Sequence, residues 1–348
     1  MKKIIAIILA LVMLMSFAAC SASSDTTETP STTPEASTQT EENASDVEVA
    51  DESENEEFLV GLAFGALDLT PQILSENIIA ICKEKGWEYT MTNADQDPSK
   101  LLSDVESLCQ LGCDVICVRG ITDDSMTPVQ EACKEAGIPL IALSVVDQDG
   151  EYLTLCCDTT EAGAACAEWY AQYIQDHPDQ EYNAGFVVGD YSFEAALCRW
   201  TYVRDVEGSN ELANGEANWG APNAMTLVED WIKTYPEMNV IGSSSDEMTV
   251  GVIQALQDAG KSPDDYIVMS YDALDIMQDY ILEGWCDASV GLDLEKHART
   301  VCDILQKVKD GDTSSVEKLT KAYSIWMCTS ENLQGILDGT AEKVYYEY

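Results

Sequence analysis

NVIGSSSDEMTVGVIQALQDAGKSPDDYIVMSYD, residues Asn239–Asp272, decides the fold. Its spacing predicts a strand, a polar loop, a helix, a short loop and a second strand. Val240-Ile241-Gly242 is a short apolar run, and Ser243–Ser245 ahead of Asp246 supplies helix N-cap chemistry. Val250, Ile253, Ala255, Leu256 and Ala259 then recur at roughly helical spacing until Gly260 stops the helix. Tyr266–Met269 reads as a buried strand, with Asp272 just past its carboxyl end. In an open parallel sheet, ligands sit in the crevice outside those ends. Ser243–Asp246 and Asp272 are therefore expected to face one cleft from neighbouring strands.

The same alternation extends in both directions. Phe58–Phe64, Trp87–Thr92, Asp114–Val118 and Ile138–Leu143 are expected strands. Between them, helices open at Thr70-Pro71, Asp97-Pro98 and Asp123/Asp124 and stop at Gly86, near Gly112 and at Gly137. Leu153–Cys157 leads to Asp158 and a helix over Thr160–Ile174. Strand Ala184–Val188, a helix from Phe193, a strand near Glu211–Asn218 and helix Ala224–Tyr235 precede the opening stretch. Helix Leu274–Glu283, strand Cys286–Val290, helix Leu294–Lys309, an extended crossing over Lys321–Met327 and helix Asn332–Leu337 follow it. Short apolar strands alternating with helices predict an α/β fold with parallel sheets buried on both faces. The chain of 348 residues is long enough for two such domains.

The amino end has a different character. Residues 1–20 read as an export signal: Lys2-Lys3, an apolar run over Ile4–Met15, then Phe17-Ala18-Ala19-Cys20. Small residues just before a cysteine resemble a lipobox, in which Cys20 becomes lipid-modified and anchors the protein to the membrane; Phe17 stands where leucine is usual. The alternatives are an ordinary secretory signal cut after Ala19, or an uncleaved anchor, for which the run is short. Residues 21–57 lack Lys and Arg and are rich in Ser, Thr, Pro, Asp and Glu. They are expected to be a disordered tether with a reach of about 30–35 Å. The net charge of −45 argues against nucleic acid and against an anionic membrane surface as partners.

Little in the chain suggests catalysis. There are two histidines; His177 precedes Pro178 in an expected loop and His297 lies on an expected helix, and both are assigned to the surface. No GxGxxG, GxxxxGK, HExxH or GxSxG motif occurs, so no cofactor or catalytic group is expected. Thirteen cysteines are present. Apart from Cys20 they read as small apolar core residues, with no zinc-knuckle or redox CxxC spacing. Cys109, Cys113 and Cys117 form the best cluster for a metal, but should span a helix end, a turn and a strand, so no metal is expected. A disulfide framework remains open.

The run SDEMTVGVIQALQDAGK followed by VMSYDA resembles the corresponding region of ribose-type, class I periplasmic binding proteins, and weaker similarity extends from Phe58 to about Leu333. The resemblance implies two Rossmann-like lobes with parallel sheets joined by a multi-crossing hinge. One lobe would comprise residues 58–157 plus 293–322, the other 158–292 plus 323–348. It also implies delivery of a ligand to an ABC permease. By the same resemblance Trp219 stands where a ring-stacking aromatic belongs, Asp272 matches a hydroxyl-binding aspartate and Ser245 replaces an asparagine. Asp246 is expected behind the ligand contacts. Departures from the family are several: Ser144-Val145 replaces an Asp-Arg pair, Leu197 a ligand-binding arginine, Thr70-Pro71 an aromatic pair and Leu292 a glutamine. Arg199 aligns with a second, structural arginine.

Asp68, Ser144, Arg199, Trp219, Ser245, Asp246, Asp272 and Asp293 are the candidate site residues, with Tyr191, Phe193 and Trp200 as a further aromatic wall. Carboxylates accept paired hydroxyls and an aromatic face covers the C–H surface of a ring. The pattern favours a neutral sugar or polyol. A cationic solute such as a polyamine, and a sensory rather than a transport role, stay open.

Overall fold

The computed structural model describes residues 57–144, 153–156, 159–312, 314, 320–321 and 325–346. The export signal, Cys20 and residues 21–56 of the expected tether lie outside the described residues, as do Val145 and Asp158.

Two six-stranded sheets are built by the same logic. The first contains β1 (Leu59–Phe64), β2 (Glu88–Asn93), β3 (Val115–Arg119), β4 (Leu140–Ala142) and β5 (Leu153–Cys156), linked by α1 (Leu69–Lys85), α2 (Pro98–Leu111) and α3 (Met126–Ala136). After α4 (Thr159–Asp176) come β6 (Tyr182–Val188), α5 (Glu194–Arg204), β7 (Ser209–Glu216), α6 (Ala221–Thr234), β8 (Val240–Ser243), α7 (Asp246–Asp258), β9 (Ile267–Asp272), α8 (Asp275–Leu282) and β10 (Ala288–Leu292). The chain ends with α9 (Leu294–Lys309), β11 (Thr320–Lys321), β12 (Ile325–Cys328) and α10 (Ser330–Leu337).

The strand orders are β2-β1-β3-β4-β5-β11 and β7-β6-β8-β9-β10-β12. Each order reverses once, between β1 and β3 in the first sheet and between β6 and β8 in the second. Such a reversal splays the loops at the carboxyl ends and opens a crevice there. Helix α9 follows β10 of the second sheet but packs on α1, and α4 follows β5 of the first but packs on α5, β10 and β12. The sheets are parallel with one exception. β12 pairs antiparallel with β10, Leu292 opposite Ile325. It comes directly from β11 of the other sheet, so it enters at the carboxyl end of its neighbours and runs against them.

Alternation along β1 shows how the first lobe packs. Val60, Leu62 and Phe64 join α1 and α9 in one core, and Ala63 faces α2 and α3 on the other side. Cys117 lies in the first of these cores and Cys113 in the second, so the sheet separates them. Among the described residues no three Cys, His, Asp or Glu side chains are grouped to hold a metal. Helix ends follow local chemistry. Asp97 Oδ1 accepts from Ser99 N at 2.8 Å, with Pro98 at the first position of α2. Ser245 Oγ accepts from Met248 N at 3.3 Å and caps α7.

Candidate functional site

The crevice is lined from strand ends. Asp68 follows β1, Arg119 ends β3 and Ser144 follows β4, all from the first lobe. Phe193 follows β6, Trp219 follows β7, Ser245 follows β8 and Asp272 ends β9, all from the second. Thr70, Arg199, Leu292 and His297 are among the other residues lining this cavity of about 60 Å³. A second, smaller cavity continues past Asp68, Arg119, Phe193 and Trp219 toward Gln96 and Asp190.

Six of the eight expected residues therefore meet in one place: Asp68, Ser144, Arg199, Trp219, Ser245 and Asp272. Two do not. Asp246 is fully buried behind the lining, where its Oδ1 accepts from Ser270 Oγ at 2.6 Å and Ser289 Oγ at 2.9 Å. Its Oδ2 accepts from Leu274 N at 2.6 Å. Asp293 caps α9 through Lys296 N at 2.9 Å and accepts from Tyr345 Oη at 2.7 Å. It is held by its own helix and the C-terminal segment and does not line the cavity, although its neighbours Leu292 and Leu294 do. Of the expected aromatic wall only Phe193 faces the site. Tyr191 and Trp200 pack edge to face on each other at 5.8 Å, and Trp200 Nε1 donates to Glu211.

Thr70, Arg119 and His297 were not among the candidates. His297 corrects a surface assignment: it is 1 % exposed. The signal was available, because Leu294, His297, Ala298, Val301 and Leu305 share one helical stripe that α9 turns inward.

The electrostatics centre on Asp272. Arg199 Nη1 lies 3.7 Å from its Oδ1, and the Arg199 guanidinium sits 5.0 Å from the centre of the Tyr271 ring. Burial pushes the Asp272 carboxyl up to about 6, against the pull of Arg199. Asp246 is pushed up to about 7, first by burial and then by the charge of Asp272. Glu247 is also raised by burial. Backbone strain collects at the same loops. Asn218 and Trp219 take φ 47° and 60°, and Asp272 and Ala273 take 107° and 49°.

Asp68 is the group with spare capacity. It occupies the N-cap position of α1, yet its side chain makes no capping bond, in contrast to Asp97 and Asp293. Its Oδ1 is buried without a hydrogen-bond partner in the protein, as is Ser144 Oγ. Both atoms belong to residues that line the cavity. Buried polar atoms without partners are uncommon and invite explanation by a ligand.

The chain has relatives both in sequence and in fold. Residues 71–313 match the family described as a periplasmic binding protein domain. A putative rhizopine-binding protein of Rhizobium meliloti is 24% identical over 238 residues, spanning 65% of this chain and 76% of that protein. Ribose import binding protein RbsB of Bacillus subtilis (strain 168) is 23% identical over 220 residues, 62% of this chain and 70% of its own length. In three dimensions the fold is similar to a galactofuranose binding protein, with a TM-score of 0.74 and 19% identity over 81% of this chain and 98% of that one. The expected two-lobed class I architecture holds. The match over residues 71–313 shows that this chain belongs to the periplasmic binding protein family, as a substrate binder and not an enzyme.

Proposed function

We propose that the protein captures a small neutral sugar or polyol between its lobes and hands it to an ABC importer. The observation that carries this reading is the pair of unpartnered atoms, Asp68 Oδ1 and Ser144 Oγ, beside the Trp219 and Phe193 rings. A carboxylate and a hydroxyl accept and donate to sugar hydroxyls, and the aromatic faces suit the C–H surface. Two arginines, Arg119 and Arg199, stand with the two aspartates Asp68 and Asp272. That balance favours a neutral ligand over a polyamine. The names of the relatives, which include a ribose import binding protein, point the same way.

Closure would turn on the crossings near Asp158, Gly291–Asp293 and Lys321–Met327, which divide the chain into lobes of residues 58–157 plus 293–322 and 158–292 plus 323–348. Cys20 would hold the protein at the outer face of the membrane through a lipid, with residues 21–57 as spacer. Cys20→Ser should then release it from the membrane fraction.

Thermal unfolding of the full chain against pentoses, hexoses, polyols, nucleosides and polyamines tests the reading. A ligand at about a hundred times its dissociation constant adds roughly 2.7 kcal/mol to the native state. A shift with a neutral sugar or polyol supports it. A shift with amines alone, or with nothing, removes it.

A further inference from the structure

The crevice does not end at the first cavity. Past Asp68, Arg119, Phe193 and Trp219, which line both, a second cavity of about 40 Å³ runs to Ala66, Gln96 and Asp190. That is several times the roughly 10–15 Å³ that one water needs. A ring held in the first cavity therefore has room to carry a substituent into the second.

Arg119 stands where the two cavities meet. It ends β3 opposite Phe64 of β1, and its main-chain carbonyl accepts from Gly65 N at 2.8 Å, so the backbone beneath the side chain is fixed. The guanidinium is half-buried and, among the described residues, forms no hydrogen bond or ion pair, with Asp68 or with any other acid. Arg199, by contrast, donates from Nη1 to Ser244 O and faces Asp272.

A guanidinium donates and never accepts, whereas a carboxylate only accepts. Asp68 thus calls for a ligand hydroxyl, but Arg119 calls only for an oxygen lone pair. The oxygen of a glycosidic link supplies one without a proton of its own. At the far end, Asp190 Oδ1 accepts from Ser192 N and Ser192 Oγ, both at 2.7 Å, while Oδ2 has no partner among the described residues. Asp190 and Gln96 make the end of the second cavity polar, which suits hydroxyls and not an alkyl group.

We propose that the second cavity is a subsite for a hydroxylated substituent on the sugar or polyol, and that Arg119 holds the oxygen joining the two parts. The ligand class is then a disaccharide or a glycoside of a polyol. The inference rests on the reading of the crevice as a sugar or polyol site, and it adds which part of the ligand lies where.

Calorimetric titration of the full chain compares parent compounds with their conjugates: D-galactose with lactose and melibiose, D-glucose with maltose and cellobiose, and myo-inositol with galactinol. At least one conjugate should bind about tenfold more tightly than its parent, or better. Ala66 lines the second cavity and not the first. Ala66→Leu, which fills the second cavity, should cancel the advantage while the far-ultraviolet circular dichroism and the affinity for the parent stay as they were. Arg119→Met, similar in length but without a donor, should weaken the conjugate by about tenfold, the effect of one hydrogen bond to a charged group. Arg119→Lys, which restores a charged donor without the planar fork, should recover part of that loss.

Parents that bind as tightly as every conjugate would overturn the subsite and leave the sugar reading standing. An Ala66→Leu variant that weakens parent and conjugate alike would do the same. A conjugate bound equally by wild type and Arg119→Met would remove Arg119 from the linking oxygen and overturn the proposal at that point. No binding by any probe would sink the sugar reading and the subsite together.

Discussion

The indole of Trp219 lies over Gly189 so closely that a Cβ at position 189 would come within 2.5 Å of the ring. Gly189 follows β6 and Trp219 follows β7, neighbouring strands at the edge of the second sheet. The ring also meets Phe193 edge to face at 6.0 Å. Asn218 and Trp219 hold left-handed backbone conformations, at a cost of order 1–3 kcal/mol per residue. Packing on both sides of the indole keeps the strained loop in place and presents the ring to the cleft.

Gly189→Ala should therefore act on the ligand site through Trp219. The added methyl meets the indole, so the ring must move or the β6 loop must yield. We expect a stability loss of about 1–3 kcal/mol, altered near-ultraviolet circular dichroism and at least tenfold weaker binding of whichever sugar the panel identifies. Unaltered dichroism with unaltered affinity would show that the ring is not fixed by this contact.

Trp219 itself should be more sensitive to truncation than to exchange. Trp219→Ala removes the aromatic face and is expected to weaken sugar binding by tenfold or more, about 1.4 kcal/mol. Trp219→Phe retains a ring and should recover most of that loss. Equal affinities for wild type and Trp219→Ala would exclude the indole from the ligand contact.

Burial of Asp246 and Asp272 sets the pH dependence of stability. Burial raises the two carboxyls to about 7 and about 6, and raises Asp287 to about 6. In the unfolded chain all three titrate near 4. Between roughly pH 4 and pH 7 the folded state thus binds more protons than the unfolded state, and stability falls as pH rises through that window. The unfolding temperature should be higher at pH 5 than at pH 8. Asp246→Asn, neutral at both values, should narrow the difference by raising the temperature at pH 8. Ser270 Oγ can turn to the amide, because Thr249 Oγ1 lies 2.7 Å away as an alternative acceptor and itself donates to Ser245 O. An undiminished pH dependence in the variant would show that Asp246 is not the group responsible.

Periodicity and caps made most of the fold legible. Leu294–Lys309 is the helix that its spacing predicts, and Asp97-Pro98 and Ser245 start α2 and α7 as local chemistry dictates. The direction of β12 was not legible, because it depends on which sheet the chain leaves and not on the residues of Ile325–Cys328. Strand-end reasoning brought Asp68, Ser144, Ser245 and Asp272 to one cleft. It could not separate Asp68 from Asp293. Each aspartate stands at the start of a helix, and only the folded chain shows one carboxylate turned from its helix and the other holding its own. The sequence marks Thr70 as a helix start and as a departure from the family's aromatic pair, but not as a partner of Asp272, since that contact spans 202 residues of sequence.

That difference between Asp68 and Asp293 yields the last prediction. Asp293 Oδ1 caps α9 and its Oδ2 accepts from Tyr345, so its carboxylate is used within the protein. Asp293→Ala should lower stability by about 1 kcal/mol, the usual effect of a lost cap, and leave sugar affinity unchanged. Asp68→Asn should do the reverse. The Asp68 side chain makes no cap bond, so its removal spares α1, while a buried acceptor facing the cleft is exchanged for an amide. Denaturant unfolding and calorimetric titration of the two variants give the comparison. A loss of affinity confined to Asp293→Ala would place the ligand at the start of α9 and not at the start of α1.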